Sequence, residues 1–292
     1  MKLFIFGIGY SCRHFLDRFG DRFTSVSGTV RDPSRDAAQF GCEMLSFGPD
    51  HADPIIATRL AEANLLLVSV PPSGSGDPAL AAFSDLIGAS RVQRIVYLST
   101  VGIYGDHGGQ WIDETAPVAP SAGRRAARAT AEREWMTLAG ERTSILRLAG
   151  IYGPGRNALV NLRAGTARRI VKPGQVFNRI HVADIAQVIA AAFAHQATGI
   201  WNVCDDEPAP PQDVVTFAAS LMGIAPPPEI DFASAEMSAK ISNMARSFYA
   251  TNNRISNARM KCDLKVELAC PTYRDGLEAL WATGEGAEAM SK

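Results

Sequence analysis

Short apolar runs alternate with amphipathic stretches through the first half of the chain. The runs predict buried β-strands and the stretches between them predict helices. The predicted strands are residues 2–6, 25–30, 43–47, 64–70, 94–99 and 144–148, and the first predicted helix is 11–19. Continuous apolar strands are buried on both faces, so helices must cover both sides of the sheet. The pattern therefore predicts an α/β fold with a doubly wound parallel sheet.

The pattern changes after Gly150, where elements become shorter. Gly and Pro cluster at 153–155, 173–174, 208–211 and 226–228. Such clusters interrupt helices and strands, so they predict a smaller second lobe with its own α/β elements. A helix at 182–195 and a strand at 200–204 indicate a return to the first lobe. We therefore expect two domains, with the boundaries 1–150 plus 180–204 and 151–179 plus 205–292.

Composition narrows the class of protein. The 292 residues are 47% hydrophobic and 20% charged, with a formal net charge of −1. This balance argues against nucleic acid or an anionic membrane as a partner, because both attract a basic excess. No apolar run approaches the roughly 18 residues of a membrane span. Five scattered cysteines without a C-x-x-C pair indicate reduced thiols and no metal site. We expect a cytoplasmic monomer or homodimer that binds a small molecule.

A glycine-rich turn follows the first predicted strand and precedes the first helix. It reads Gly7-x-Gly9-x-x-Cys12. Gly7 permits a tight turn, Gly9 permits close approach of a pyrophosphate, and Cys12 is small enough for helix–strand packing. Val70, at the end of the strand 64–70, is placed at the same cofactor site. The alternative is a strand–helix turn that uses glycine for its geometry alone.

The residue after the second strand indicates which dinucleotide binds. An acidic residue there would select NAD, but the chain has Arg31. A guanidinium at that place can accept the 2′-phosphate of NADP, and Arg13 can assist it. We therefore expect a preference for NADP(H). NAD(H) stays possible because Asp32 is adjacent, and Arg31 can instead be a solvated loop residue.

Five segments resemble, in order and spacing, one family of oxidoreductases. They are L-S-T-V-G-I-Y-G at 98–105, E-T-A-P-V-A-P at 114–120, L-R-L-A-G-I-Y-G-P-G at 146–155, R-I-H-V-A-D at 179–184 and W-N-V at 201–203. These resemble segments of the extended short-chain dehydrogenases/reductases, the NAD-dependent epimerase/dehydratase family. The resemblance covers residues 3 to about 210. It implies a Rossmann-type sheet, a C-terminal substrate lobe and chemistry on sugars or nucleotide sugars.

The resemblance also implies a catalytic Ser/Thr, Tyr and Lys, of which the chain retains one. Thr100 occupies the Ser/Thr position and is expected to contact the cofactor as well, whereas Arg124 and Arg128 occupy the Tyr and Lys positions. An arginine cannot act as a general acid–base because it does not lose its proton in proteins. Arg124 can stabilise an oxyanion or bind an anionic group, and Arg128 can donate to a ribose. The alternative for Arg128 is an ion pair with Glu132 on a solvated helix face.

Further residues are candidates for contact with substrate. Tyr104 follows Thr100 closely, although a tyrosine there more often packs beneath the site. His107 lies in a predicted loop, where it can reach a substrate or be simply an exposed loop residue. Arg179 begins the fourth family segment. A basic cluster in the second lobe lies where such families contact substrate phosphates, and the alternative for it is a solvated charged face. It comprises Arg163, Arg168, Arg169 and Lys172. Asp184 is expected to meet the free N–H groups at the start of the return helix.

The sequence thus predicts an NAD(P)-binding oxidoreductase or epimerase acting on a small carbonyl or (nucleotide-)sugar-type substrate. Loss of Tyr and Lys supports an alternative, a catalytically silent NADP(H)-binding sensor or a protein that docks a partner. The intact glycine turn and Thr100 favour the enzyme.

Overall fold

A computed structural model describes residues 1–35, 41–74, 76–119, 123–234 and 243–287. Its largest element is an eight-stranded sheet. The strands are β1 Lys2–Phe6, β2 Ser25–Val30, β3 Glu43–Gly48, β4 His51–Ala52, β5 Leu65–Val68, β6 Arg94–Thr100, β8 Thr143–Leu148 and β12 Gly199–Val203. Their spatial order is β12-β8-β6-β5-β1-β2-β3-β4. All neighbours are parallel except β3 and β4. The strand order reverses at β1, which is where ligands bind in open α/β sheets.

Helices cover both faces of this sheet. They are α1 Tyr10–Phe19, α2 Ile55–Glu62, α3 Pro78–Ala89, α4 Arg124–Ala139 and α6 Val182–Ala194. Alternate residues of β1 enter two separate cores: Ile5 packs with α1 and α6, whereas Phe4 packs with α2, α3 and α4. The doubly wound Rossmann-type fold expected from the sequence is therefore confirmed. No helix among these residues is long and apolar enough to cross a membrane.

One strand ends earlier than predicted, and its end shapes the site. The apolar run 64–70 forms a strand only over Leu65–Val68. The next two N–H groups, of Ser69 and Val70, both donate to the carbonyl of Phe6, at 2.8 and 3.1 Å. Val70 therefore leaves the sheet at its carboxyl edge and lies against the turn that follows β1.

The second lobe contains small elements around its own core. Its strands pair in parallel, β9 Gly150–Tyr152 with β11 Arg179–His181 and β10 Arg169–Val171 with β13 Glu229–Asp231. Its helices are α5 Ala158–Arg163, α7 Pro211–Leu221, α8 Asn243–Phe248 and α10 Tyr273–Ala282. Tyr152, Leu159 and Leu277 are buried together in this lobe. The lobe thus contains both short helices and short strands, the kinds of element that the sequence predicted for it.

The C-terminal segment differs from the predicted division. Strand β14, Arg254–Ile255, pairs with β7, Trp111–Ile112, and helix α9, Ala258–Leu264, follows it. Ile255, Met260 and Leu264 are buried in the core of the large sheet. Residues 254–266 thus pack with the first lobe, although the sequence placed them in the second. Their apolar side chains complete the core beside α6 and β12.

Candidate active site

The glycine loop, residues 7–12, joins β1 to α1. Gly7 has φ +87°, and a Cβ there would lie 2.9 Å from Val70 Cγ1 and 3.0 Å from its backbone N. Only glycine suits both that conformation and that contact. A Cβ on Gly9, by contrast, would have no atom within 4 Å. The chain therefore leaves open space above Gly9 at the carboxyl edge of the sheet.

The start of α1 is built to receive an anion. Gly9 is the residue that caps the helix, and the first turn has no acidic residue. Among the described residues, no side chain accepts from the first N–H groups of the helix. Free N–H groups and the helix dipole favour a phosphate at such an end. Cys12 is fully buried, and burial raises the pKa of its thiol to about 12. It therefore acts as a small neutral packing residue, and the open space over Gly9 fits a dinucleotide pyrophosphate.

The two arginines predicted at the ribose differ in their surroundings. Arg31 follows β2 and is exposed, with no hydrogen bond or ion pair to another described residue. Arg13 is half-buried on α1, and its Nε donates to the carbonyl of Ile8 at 3.4 Å. Arg31 is therefore available to a ligand at the carboxyl end of β2, whereas Arg13 also supports the glycine loop.

A cleft of about 740 Å³ lies at the carboxyl edge of the sheet between the lobes. It is lined by residues 100–102, 124–125, 149–152, 176–179 and parts of 247–255. Thr100, Arg124 and Arg179, separated widely in sequence, share its walls. The structure thus brings together two predicted catalytic residues and one predicted substrate residue.

Thr100 and Arg124 are positioned by the ends of regular elements. Thr100 is the last residue of β6, and its hydroxyl accepts the N–H of Gly102 at 3.1 Å. Arg124 is the first residue of α4 and is exposed. The preceding Gly123 has φ +79°, which turns the chain sharply into the helix. Arg124 therefore presents a permanent positive charge to the cleft that Thr100 also lines.

Arg128 lies neither at a ribose site nor on a solvated helix face, the two environments that the sequence predicted for it. Its Nη1 donates to the carbonyl of Leu98 at 2.9 Å and to the hydroxyl of Tyr97 at 3.1 Å. The ion pair with Glu132 that the sequence offered as an alternative is wrong, because Glu132 is buried and pairs with Arg147. Arg128 thus ties α4 to β6 and is not among the residues lining the cleft.

A buried polar network beneath the cleft was missed by the sequence analysis. Arg147 of β8 donates to Glu132 through Nε and Nη2, with N–O distances of 2.8–3.2 Å. Ser99 also donates to Glu132, at 2.5 Å. A carboxylate four residues after Arg128 and the arginine of the L-R segment were the available signals. Nothing local in the sequence connects them.

Tyr104 belongs to this network and does not line the cleft. It is fully buried. Its hydroxyl accepts from Arg147 at 2.8 Å and donates to Asn202 at 2.8 Å. Burial raises the pKa of Tyr104. The structure therefore places this residue among packing groups, away from the substrate position that the sequence also offered.

The other two predicted substrate residues, His107 and Arg179, lie in different places relative to the cleft. The His107 ring lies with Nε2 3.2 Å from the carbonyl of Tyr104, outside the cleft lining. Arg179 lines the cleft and donates to the carbonyls of Phe177 and Ala209 at 2.9 and 3.1 Å. Beside it, burial raises the pKa of Asp205 to about 8, although Arg179 acts to lower it.

Two asparagines, Asn178 and Asn253, fix the far wall of the cleft. Asn178 donates to the carbonyl of Asn253 and accepts from the N–H of Ile255, both at 2.9 Å. Asn253 donates to the carbonyl of Gly105 at 2.7 Å. The sequence T-N-N-R-I-S-N at 251–257 was the signal for this role. Side-chain amides suit it because each both donates and accepts.

The basic cluster of the second lobe does not converge on one point. Arg168 lines a second cavity of about 530 Å³, which shares Tyr152 and Arg179 with the cleft. Arg169, however, pairs with Glu229 at 2.7 Å, and Lys172 donates to the carbonyl of Tyr249 at 2.5 Å. Arg168 also donates to the carbonyls of Gly165 and Ala167, so three of the four cations are engaged in contacts within the lobe.

Asp184 also differs from its predicted role. It accepts the N–H groups of Ala269 and Cys270, at 2.7 and 3.1 Å, whereas His181 Nδ1 accepts from the first turn of α6 at 3.2 Å. His181, Asp184 and Cys270 place potential ligand atoms within 4.8 Å of one another. A neutral imidazole that accepts at Nδ1 carries its proton on Nε2, so the group lacks a free histidine lone pair for a metal.

Comparisons with known proteins agree with this architecture. Residues 80–204 match the model of the NAD dependent epimerase/dehydratase family. Protein YeeZ of Escherichia coli K12 is 34% identical over an alignment of 242 positions that covers 77% of this chain and 85% of that protein. A 3-diazoavenalumate denitrifying reductase of Streptomyces sp is 28% identical over an alignment of 281 positions that covers 87% of this chain and 91% of that protein. The chain therefore belongs to the NAD dependent epimerase/dehydratase family.

Solved structures show the same fold along the whole chain. A functionally unknown conserved protein from Silicibacter pomeroyi DSS is 44% identical, with a TM-score of 0.88 over 97% of this chain and 98% of that one. The UDP-glucuronic acid 4-epimerase from Bacillus cereus, in complex with NAD, is 13% identical with a TM-score of 0.74 over 96% of this chain and 97% of that one. At that identity the likeness concerns the fold alone.

Proposed function

We propose that the protein is a nicotinamide-dinucleotide-linked oxidoreductase of the short-chain dehydrogenase type. Its substrate is a small carbonyl or sugar-type compound with an anionic group, and NADP(H) is preferred over NAD(H). The observation that carries this proposal is the cleft that places Thr100 and Arg124 together at the sheet edge that also bears the glycine loop. The free thiols of all five cysteines fit a reducing, cytoplasmic setting.

Two sets of residues would hold the cofactor. Gly7, Gly9, Cys12 and Val70 form the pyrophosphate site, and Arg31 with Arg13 faces the adenosine end. When bound, the nicotinamide supplies two-electron oxidation or reduction of the substrate. A family relative named as a reductase of 3-diazoavenalumate supports reduction as one direction of the reaction.

Thr100 and Arg124 would act on the reacting oxygen of the substrate. The Thr100 hydroxyl can donate to that oxygen, and the Arg124 guanidinium can stabilise negative charge that develops on it. Arg124 cannot deliver a proton. Among the described residues of the cleft wall, the titratable groups are Arg124, Arg125, Tyr152 and Arg179, and burial raises the pKa of Tyr152. We therefore assign the proton to water or to the substrate itself.

A turnover screen tests the proposal. Purified protein is mixed with NADPH or NADP⁺ and with aldehydes, keto acids, keto sugars and nucleotide sugars, while absorbance of the reduced cofactor is followed. Removing an oxyanion donor costs about a hundred- to a thousandfold in rate. Arg124→Ala should lose that much with unchanged cofactor affinity. Arg133→Ala, an exposed arginine on the same helix, is the matched control. Turnover that Arg124→Ala leaves intact would exclude the oxyanion role.

The silent cofactor-binding sensor is the second candidate. It is favoured by one observation: Arg128, at the family's Lys position, is committed to Leu98 and Tyr97 and does not reach the cleft. Firm NADPH binding with no turnover of any substrate class would select this candidate. Introducing the family pair by Arg124→Tyr with Arg128→Lys would then be expected to leave the protein inactive as well.

A further inference from the structure

We propose that the cleft selects substrates with an apolar, ring-like body and a single carboxylate-like group, and that Phe248 and Arg124 set this preference. The inference rests on the proposed function because it concerns the same cleft. It narrows the substrate to aromatic or alicyclic acids and disfavours nucleotide sugars.

The aromatic part of the argument starts from Phe248. Its side chain lines the cleft but is 56% exposed, which is unusual for a phenylalanine. Ile151 and Phe177, both half-buried, lie on the same cleft wall. An apolar ring in the cleft would remove these surfaces from water and could stack on the exposed phenyl ring. A sugar would leave that apolar surface poorly matched.

Neighbouring contacts hold Phe248 in place before any ligand arrives. Tyr249 is buried, and its ring lies 5.0 Å from that of Phe177 and 4.9 Å from that of Phe232. Lys172 binds the carbonyl of Tyr249, and Arg125 Nη2 donates to the carbonyl of Ser247 at 3.1 Å. The backbone is therefore fixed on both sides of Phe248. Such preorganisation lowers the entropic cost of binding.

The charge of the cleft indicates a single anionic group. Arg125 and Arg179 line it but already donate to backbone carbonyls. Arg124 has no hydrogen bond or ion pair within the described part of the chain, and the described lining contains no Asp or Glu. The guanidinium of Arg124 has five N–H donors on two edges, so one edge can bind one carboxylate in bidentate fashion while the other still faces the reacting oxygen. A diphosphate would have to draw its further donors from Arg125 and Arg179, and each of these is already tied to a backbone carbonyl through one guanidinium nitrogen.

The test measures binding by calorimetry in the full-length protein, with and without saturating NADP⁺. Its probes are trans-cinnamate, cinnamyl alcohol (the ring without the charge), propionate (the charge without the ring) and UDP-glucose. We expect cinnamate to bind at least about tenfold more tightly than each of the other probes. Only cinnamate combines a ring for the apolar surface at Phe248 with a carboxylate for Arg124.

Variants separate the two determinants. Phe248→Ala and Arg124→Ala should each weaken cinnamate about tenfold. The controls Trp111→Ala, an aromatic residue 61% exposed outside the cleft, and Arg133→Ala should leave it unchanged. Tighter binding of UDP-glucose than of cinnamate, no binding of cinnamate, or an unaffected Phe248→Ala would each overturn the inference. Absence of NADP⁺ binding, measured first, would instead count against the proposed function, because cinnamate can still be titrated without cofactor.

Discussion

The glycine loop and the cleft lie at the same edge of the sheet but are built differently. The loop forms its site from six consecutive residues, using backbone N–H groups, a helix end and space where side chains are absent. The cleft draws side chains from five separate segments, and each depends on contacts made elsewhere. A backbone site is therefore visible in a short motif, whereas a side-chain site is assembled by the whole fold.

Helix α4 repeats this contrast within one element. Arg124, at its first turn, is exposed to the cleft, whereas Glu132, two turns later, is buried against Arg147. Arg128 between them bonds to β6. The same helix thus presents a group available for chemistry and a group that holds the fold. The following experiments test that division, from the largest expected effect to the smallest.

Gly9→Val should abolish dinucleotide binding without loss of stability. The branched side chain would fit the fold, since a Cβ there meets no atom within 4 Å, but it would occupy the space of the pyrophosphate. NADPH fluorescence titration and thermal melting measure the two effects. Gly48→Val, also with nothing within 4 Å, is the matched control outside the loop. A Gly9→Val protein that binds normally would place the cofactor elsewhere.

Glu132→Ala should destabilise the protein by about 3–5 kcal/mol, because it leaves Arg147 buried without its partner. Urea denaturation measures the change in the free energy of unfolding. Glu134→Ala, an exposed position on the same helix, should stay within about 0.5 kcal/mol of the parent. The double change Glu132→Leu with Arg147→Met should restore most of the lost free energy of unfolding. A mild effect of Glu132→Ala alone would contradict the structural role.

Arg31→Ala should lower NADPH affinity about ten- to a hundredfold, as expected for a charged hydrogen bond of about 1.5–3 kcal/mol. NADH affinity should barely change, because that cofactor lacks the 2′-phosphate. Titration calorimetry with both cofactors measures the difference, and Arg91→Ala, another exposed arginine, serves as control. Equal affinity of the parent protein for the two cofactors would remove the predicted preference.

The buried carboxyl of Asp205 should give a pH dependence of at most about 1.4 kcal/mol per pH unit. Its pKa is raised from 3.8 to about 8 in the folded chain. The folded state therefore binds more protons than the unfolded state between those values, so stability falls as the pH rises through this window. Urea denaturation at several pH values should show a flatter profile for Asp205→Asn. The exposed Asp85→Asn should keep the parent's slope, and an unchanged slope in Asp205→Asn would refute the assignment.

The sequence by itself determined seven strands of the large sheet and the position of the glycine loop. The strand at 2–6, the turn at Gly7 and Gly9 and the first helix were each predictable because hydrophobic periodicity and glycine conformation act over a few residues. The five family segments extended that prediction to Thr100 and Arg124, which the structure places in one cleft. These features depend on local chemistry or on motifs in a fixed order.

Tertiary structure decided which charged and aromatic side chains reach the cleft. Helical spacing predicted, as one alternative, an ion pair between Arg128 and Glu132. In the structure Glu132 pairs instead with Arg147, which comes from a strand beside the helix. Phe248 enters the cleft because Tyr249 is buried beside it. Which groups pair depends on competition among residues far apart in sequence. Burying a charged group without a partner costs enough free energy to decide which pair forms. A short stretch of sequence holds no information about which distant residue will pair with a given charged side chain.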